Sequence, residues 1–580
     1  MNRTSDPDAL RIGFLPGKTP WNNVASYLDR HVARFPDRTA FRWVDPLDLL
    51  EWDGTLDRRL PHRSISYAAF AQGVRRVAQG LSELGLAQGD RVIVFLPMSL
   101  AMYTALLAVE YIGAIAVFLD SWARRNHLGA SAECARPKAM ISHHRAFEQI
   151  RDMPELDGMP MRIIVGEGEG AYVARLEDLS RTVGLASIVA VESEATALIT
   201  FTTGSSGAPK GANRTHRFLA AQHEALASVA RYREADTDLP AFPIFSLNNM
   251  ASGVTTVLPA LDLGVPSPRD AAALVNQVYN EKIACATLSP SMIRNVAAFC
   301  LDQGVKLESL RRVLTGGAPI SRDDVSAFRA IAPRSEVWVL YGSTEVEPMA
   351  HIEAGEMLSL PSNPDPEIVD FGVNVGRVAD GLRFKFIRII HGPIEWGPLG
   401  WEEFELGPRE VGEFIVTGDH VCRDYYRNPD AFRETKIVDA DGEIWHRTGD
   451  LARLDERGYL WIVGRIHNAI DRAGQYYFPV QAEVILRRVP GVVRGAFLGL
   501  PDRTRGERTA AAIQSANSET DPMAIANEVQ RLFRKNGIPL DSLYFVEELP
   551  MDPRHHSKVE YGELRKLILA GRAKEGSAHA

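Results

Sequence analysis

The sequence predicts an α/β protein: a large N-terminal domain of parallel-sheet α/β subdomains with a β-rich lobe, followed by a small, mobile α+β C-terminal domain. Three observations carry that expectation. Short β-branched runs alternate with helix-length stretches up to Thr200, the pattern of a parallel sheet covered by helices on both faces. From Val373 to Val463 short β-like runs alternate with turns instead, as in a separate β-rich lobe. At 580 residues and 64.0 kDa the chain exceeds the size at which one core keeps growing, so at least two domains are expected.

In chain order, Trp21 to Phe35 carries Val24, Leu28 and Val32 at helical spacing before Pro36 ends the run. Ile65 to Leu84 reads as a helix with Gly85 just beyond it. Val92 to Leu119 is the longest apolar region, but Pro97, Ser99, Glu110 and Gly113 interrupt it and Asp120 closes it. It therefore reads as strand, helix, strand rather than as a membrane span. Arg124-Arg125-Asn126-His127 reads as a basic helix start, and Ala139 to Ser142 and Arg162 to Val165 as further strands. Thr215 to Arg231 is helical by pattern. The prolines of the next segment, Leu239 to Met250, argue against a regular helix, and it reads either as the wall of a substrate pocket or as a core-lining loop. Ile283 to Ser289, Arg312 to Thr315 and Val337 to Leu340 predict strands, and Met292 to Leu301 a helix. The first domain is expected to span 1–464 and the second 465–580, the latter with helices at Val480 to Arg488, Ala524 to Lys535 and Tyr561 to Ala570.

Charge and cysteine usage narrow the class. Lys and Arg number 65 against 74 Asp and Glu, a net of −9, so there is no general attraction to nucleic acid or anionic lipid. Cys134, Cys285, Cys300 and Cys422 lie far apart without C-x-x-C spacing, which predicts buried thiols in a reducing, cytoplasmic setting rather than zinc ligands or disulfides. Met1 to Asp8 is polar and predicts no leader.

The stretch Thr202-Thr203-Gly204-Ser205-Ser206-Gly207-Ala208-Pro209-Lys210-Gly211 follows the buried-strand run Ala197 to Phe201. Glycines let backbone amides approach an anion, the hydroxyls donate and Lys210 brings a mobile cation, so this is a phosphate loop although it does not match G-x-x-x-x-G-K-[ST]. The alternative is an ordinary Gly/Ser surface turn, which so dense a cluster placed after a strand disfavours. Further on, Gly316-Gly317-Ala318-Pro319 and Tyr341-Gly342-Ser343-Thr344-Glu345 each follow a predicted strand, and Asp450 and Arg465 sit in glycine-flanked positions. Together these residues can hold a triphosphate, help place Mg2+ through Glu345 and Thr344, and bind two ribose hydroxyls on Asp450. Lys558 lies beyond the linker and can be brought to the reacting phosphate by closure, where a cation offsets the repulsion between a carboxylate and the α-phosphate. Singly, each has a more ordinary use as a helix-start charge, turn former or solvated side chain.

In that order the motifs resemble the adenylate-forming superfamily of acyl-CoA synthetases, nonribosomal peptide adenylation domains and luciferases, over nearly the whole chain. The resemblance implies that Thr202, Thr203, Gly204, Ser205, Ser206, Gly207 and Lys210 bind the pyrophosphate part of ATP. It implies that Gly316, Gly317 and Ala318 lie beside adenine, and that Tyr341, Gly342, Thr344 and Glu345 serve adenine, phosphate and Mg2+, with Thr203 and Glu345 as metal residues. By the same likeness Asp450 binds ribose, Arg465 precedes the hinge, and Lys558 is the adenylation lysine, so that Lys558, Thr203, Glu345 and Arg465 form the catalytic set. Asp238 to Phe245, Glu345 to Ala350 and Arg554 to Lys558 look closest to the β-lactone synthetases of bacterial olefin biosynthesis. That implies a long-chain β-hydroxy acid whose own hydroxyl displaces AMP, a step favoured by tethering. Phe245, Ser246, Asn248 and Gly316 are the implied substrate pocket. Two departures stand out: Ser246 replaces the histidine that many acyl-CoA synthetases carry after Pro-x-Phe, and His467 stands where Asp or Lys is usual at the hinge. The aspartate that holds an α-amino group is missing from the stretch Phe245 to Ala251, which argues against an α-amino acid. Transfer to CoA is the second reading, and a nucleotide-binding sensor or scaffold without turnover is the reading from another class.

Overall fold

A seven-stranded sheet forms around the apolar strand Arg91–Phe95, which pairs in parallel with Ile115–Phe118 on one side and Ala139–His143 on the other. The computed structural model describes residues 17–119, 125–203, 209–261, 267, 269–361, 363–516, 521–551 and 559–576, with the backbone alone at 125–126 and 202–203. Strand Thr196–Thr203 continues the sheet in parallel, and Pro209–Thr215 closes it as an antiparallel edge. Helix Leu100–Tyr111 links two of these strands as expected, its start capped by the Ser99 hydroxyl on the Met102 amide.

The second sheet has parallel strands Cys285–Leu288, Arg312–Gly316 and Glu336–Ser343, after which Val346–Glu353 turns back antiparallel. That reversal leaves an edge with free amides and carbonyls, and Val373–Val378 pairs onto it. The β-rich lobe expected from residue 373 to 463 keeps apolar clusters of its own around Phe414 and Trp445, and through this edge its strands continue the second sheet, so that fifteen strands connect among the described residues. Helices Tyr67–Glu83 and Leu100–Tyr111 lie between the two sheets, because one apolar cluster joins Phe41 and Leu258 of the second sheet side to Val92, Val94 and Ala116 of the first.

Helix Pro243–Ser252 forms where the prolines argued against one. Pro243 occupies the first turn, where an amide hydrogen has no intrahelical partner to lose. Gly253 ends the helix at φ 72°. The C-terminal residues build their own six-stranded sheet with helices Pro479–Arg488 and Pro522–Lys535 packed around Phe497 and Phe533. All four cysteines are free; Cys285, Cys300 and Cys422 are buried, whereas Cys134 is half-buried, its thiol meeting the Tyr426 carbonyl at the rim of the first sheet. Among the described residues no helix is long and apolar enough to cross a membrane.

Candidate active site

The site gathers at the carboxyl ends of Arg312–Gly316 and Glu336–Ser343, where ligands of parallel sheets bind. Gly316 is cross-strand partner to Leu340, and a Cβ there would fall 2.5 Å from the Leu340 carbonyl oxygen, so only glycine permits this register. Gly317 follows at φ 82° with the Phe242 ring beside it, and Ala318 continues the bend. Gly342 is equally constrained: a Cβ would lie 2.9 Å from the Val346 carbonyl oxygen.

Asp450 and Arg465 are direct partners across the antiparallel pair Ile444–Leu454 and Leu460–Arg465. Their side chains form an ion pair, Arg465 Nε to Asp450 Oδ1 at 3.0 Å, while the Tyr341 hydroxyl donates to Asp450 Oδ2 at 2.6 Å. Asp450 is buried to 7 % exposure and each of its oxygens keeps a second lone pair, so it can still accept from a ligand. Burial and the Asp450 carboxylate push the Tyr341 phenol well above its ordinary value, which keeps it a donor.

Glu345 follows in the turn just after the strand Glu336–Ser343. Its Oε1 accepts from the Tyr425 hydroxyl at 2.8 Å and its Oε2 from Ser343 Oγ at 3.1 Å. Burial works to raise this carboxyl, yet His446, Tyr425 and Lys436 outweigh it and hold it below the usual carboxylate range. His446 is itself pushed down to about 3 by burial and by Lys436, so at neutral pH the lasting supports are the Tyr425 hydroxyl and the Lys436 ammonium. Lys436 is anchored by the Cys422 carbonyl and stands 3.1 Å from His446 Nδ1. Lys210, paired with Glu434 at 3.0 Å, lies close enough to His446 to depress it further.

The Thr344 carbonyl accepts from Arg214 Nη2 at 2.7 Å, which ties the edge strand of the first sheet to this loop. Among the residues read from sequence, the structure thus brings together Tyr341, Thr344, Glu345, Asp450 and Arg465, with Gly316 and Gly317 on the adjoining strand. Gly204, Ser205, Ser206, Gly207 and Lys558 lie outside the described residues, and of Thr202 and Thr203 only the backbone pairing to Lys210 and Pro209 is described. In the pocket wall Phe245 is buried against Leu314 and Leu340, and Ser246 is fully buried beside Tyr103. Asn248 accepts from His223 Nδ1 at 2.7 Å. Sequence reasoning missed Arg214, Tyr425 and Lys436. Tyr425 sits in a turn, Lys436 at the junction of the helix Pro429–Thr435 and the strand Lys436–Val438, and Arg214 on a β-strand edge, and nothing in the adjoining letters marks any of the three.

A parallel-sheet fold with these groups at its strand ends defines an adenylate-forming enzyme. The chain belongs to the AMP-binding enzyme family, whose sequence pattern it matches over residues 28–426. It is similar to the olefin beta-lactone synthetase of Stenotrophomonas maltophilia (strain K279a), 28% identical over 555 residues that cover 93% of this chain and 96% of that one. It is also similar to 4-coumarate–CoA ligase 3 of Oryza sativa subsp. japonica, 25% identical over 530 residues covering 88% of each. The amide bond synthetase McbA from Marinactinospora thermotolerans shares the fold with a TM-score of 0.72 and 22% identity, over 94% of this chain and 100% of that one.

Proposed function

We propose that this ligase activates a fatty or β-hydroxy fatty acid with ATP as acyl-AMP and then closes a β-lactone through the substrate's own hydroxyl. The observation that carries the first step is the meeting of Tyr341, Glu345, a buried Asp450 and a half-exposed Arg465 beside a glycine-rich strand end. In this reading the 202–210 loop with Lys210 receives the phosphates, Asp450 the ribose hydroxyls, and Gly316, Gly317, Ala318, Tyr341 and Gly342 the adenine. A carboxylate oxygen attacks the α-phosphorus and the bond to pyrophosphate breaks; Lys558 offsets the charge that develops. The substrate hydroxyl then attacks the acyl carbon, its proton is lost, and AMP departs as the ring closes.

Mg2+ fits the donor set, since Glu345 is an ionised carboxylate with lone pairs to spare and this cation is commonly held by one or two carboxylates plus substrate phosphates. Glu345 and Thr203 would hold it, and it would neutralise phosphate charge. The lactone step is supported by the name of the Stenotrophomonas relative and by Ser246, which leaves a small buried hydroxyl in place of a ring. Transfer to CoA is the second reading, favoured by the likeness to 4-coumarate–CoA ligases.

Product mass separates the two. Incubation with ATP, Mg2+ and length-matched plain or β-hydroxy acids, with and without CoA, is expected to give CoA-independent AMP release and a product lighter than the β-hydroxy acid by one water. A CoA thioester from the plain acid, with no CoA-independent AMP release from the hydroxy acid, sinks the lactone step and leaves the ligase.

A further inference from the structure

Behind the helix that carries Phe245 and Ser246 lies a cavity of about 70 Å³, walled by four helices. Helix Ser26–Arg34 contributes Tyr27, helix Leu100–Tyr111 contributes Glu110, helix His216–Ala230 contributes Gln222 and His223, and helix Pro243–Ser252 contributes Asn248. Much of the remaining lining is aliphatic.

Its polar atoms are unusual. Gln222 is 1 % exposed, and neither its amide nitrogen nor its amide oxygen has a hydrogen-bond partner. Glu110 is 2 % exposed, with Oε1 unpartnered, and the Tyr27 hydroxyl is unpartnered too. Leaving a buried polar group unmet is costly. Three of them on three helices around one small space are not scattered packing faults. Groups of this kind call for a partner that supplies hydrogen bonds. Burial alone pushes the Glu110 carboxyl up to about 8, so at neutral pH it is an uncharged acid able to donate. Gln222 offers both a donor and an acceptor. No full charge faces the cavity from these groups, so a charged guest would enter without a counter-ion.

The helix Pro243–Ser252 connects this space to the candidate site. Asn248 and Ile244 line the cavity, while Phe245 packs on Leu314 and Leu340 of the strands that lead to Gly316 and Tyr341. We propose that the cavity is a far subsite for the activated acid, which reads a neutral oxygen-bearing substituent, a hydroxyl or a carbonyl, on the acid's hydrocarbon chain through Gln222, Glu110 and Tyr27. The inference rests on the acid-activating reading for its ligand. Its volume suits one such group and the adjoining chain carbons, being well below the roughly 150 Å³ of a cavity that takes benzene.

Two measurements test it on the full chain. Pyrophosphate release is followed with a straight-chain acid and with isomers carrying one hydroxyl or keto group at successive carbons. The expected result is one substituent position favoured in kcat/KM by about tenfold or more over the plain acid, with that preference reduced about tenfold in Gln222→Leu, mostly through KM. Glu110→Gln, which keeps the shape, is expected to shift the preferred substituent rather than erase it. Equal ranking of all isomers by the native protein, or a ranking unchanged in Gln222→Leu, overturns the subsite. Calorimetric binding of the same acids without ATP is the second arm. If no acid releases pyrophosphate but a substituted acid binds more tightly than the plain one and loses that advantage in Gln222→Leu, the subsite stands and the catalytic reading falls. If substituted and plain acids bind alike, ordered water is the cavity's only guest and the inference fails.

Discussion

Glu110 shows how far a single side chain can sit from its ordinary chemistry. It lies in the last turn of a helix between two sheets, its Oε1 without a hydrogen-bond partner, and burial alone lifts it from 4.5 to about 8. Between those values the unfolded chain gives up a proton that the folded protein keeps, so stability falls as pH rises through that window; below it there is no penalty and above it the penalty is complete. The ceiling, at about 1.36 kcal/mol per unit, is about 5 kcal/mol. Glu110→Gln is neutral throughout, so its melting temperature is expected to exceed that of the native protein by a margin that grows from pH 5 to pH 8. A margin that stays flat in thermal scans across that range refutes the assignment. In the sequence Glu110 was only an interruption in an apolar run. Asp450 and Arg465 were legible because glycines flank them, whereas the Tyr425 hydroxyl and Lys436 ammonium that steady Glu345 were not, since their partners lie on other segments and nothing local marks them.

At the scale of elements, the strands Gly412–Thr417 and Ile444–Leu454 are locked by a buried ion pair. Arg447 donates to Glu413 Oε2 from Nε at 2.9 Å and from Nη2 at 2.7 Å, with side chains 5 % and 2 % exposed. The remaining guanidinium hydrogens reach the carbonyls of Ile390, Gly392 and Glu434, and Glu413 Oε1 accepts from the Gly449 amide beside Asp450. Removing one partner strands a buried charge, so Glu413→Ala is expected to lose about 3–5 kcal/mol of stability, read as a lowered midpoint in urea unfolding, whereas an unchanged midpoint would show that the pair carries nothing. The alternation of runs in this region was visible in the sequence, but its continuity with the second sheet was not. Period-two patterning tells which face of a strand is buried; it does not tell which edge the strand joins. The helix at Pro243–Ser252 was lost for a different reason: proline disfavours a helix interior and suits its first turn, and only the position of the start decides between them.

For the whole molecule, the two crossings between the large sheets and the C-terminal sheet matter most. One is the chain at Arg465, read from the sequence as the linker. The other is the segment 365–369, to which the sequence reading assigned no element. It lies on the C-terminal helices: Val369 is buried in their core, its amide donates to Asn536 Oδ1 at 2.8 Å and its carbonyl accepts from Gln481 at 2.9 Å. Asp365 and Glu367 also pair with Lys535 and Arg531, but those side chains are at least one third exposed and such pairs are worth little in salt. The buried valine and the backbone bonds hold the strap. If the C-terminal unit turns to deliver Lys558, the strap must travel with it, and bending falls on the residues between it and Val373–Val378 as well as on 464–468. Hydrogen exchange tests this directly. The amides of 365–369 are expected to share the protection of helix Pro522–Lys535 both without ligand and with ATP and acid, at 0.15 M and at about 0.5 M salt, while protection at 370–373 and 464–468 changes on ligand addition. Exchange in 365–369 that follows the strand Val373–Val378 instead, or that rises steeply with salt, would show that the strap belongs to the large sheets and that the turn, if it occurs, has a single crossing.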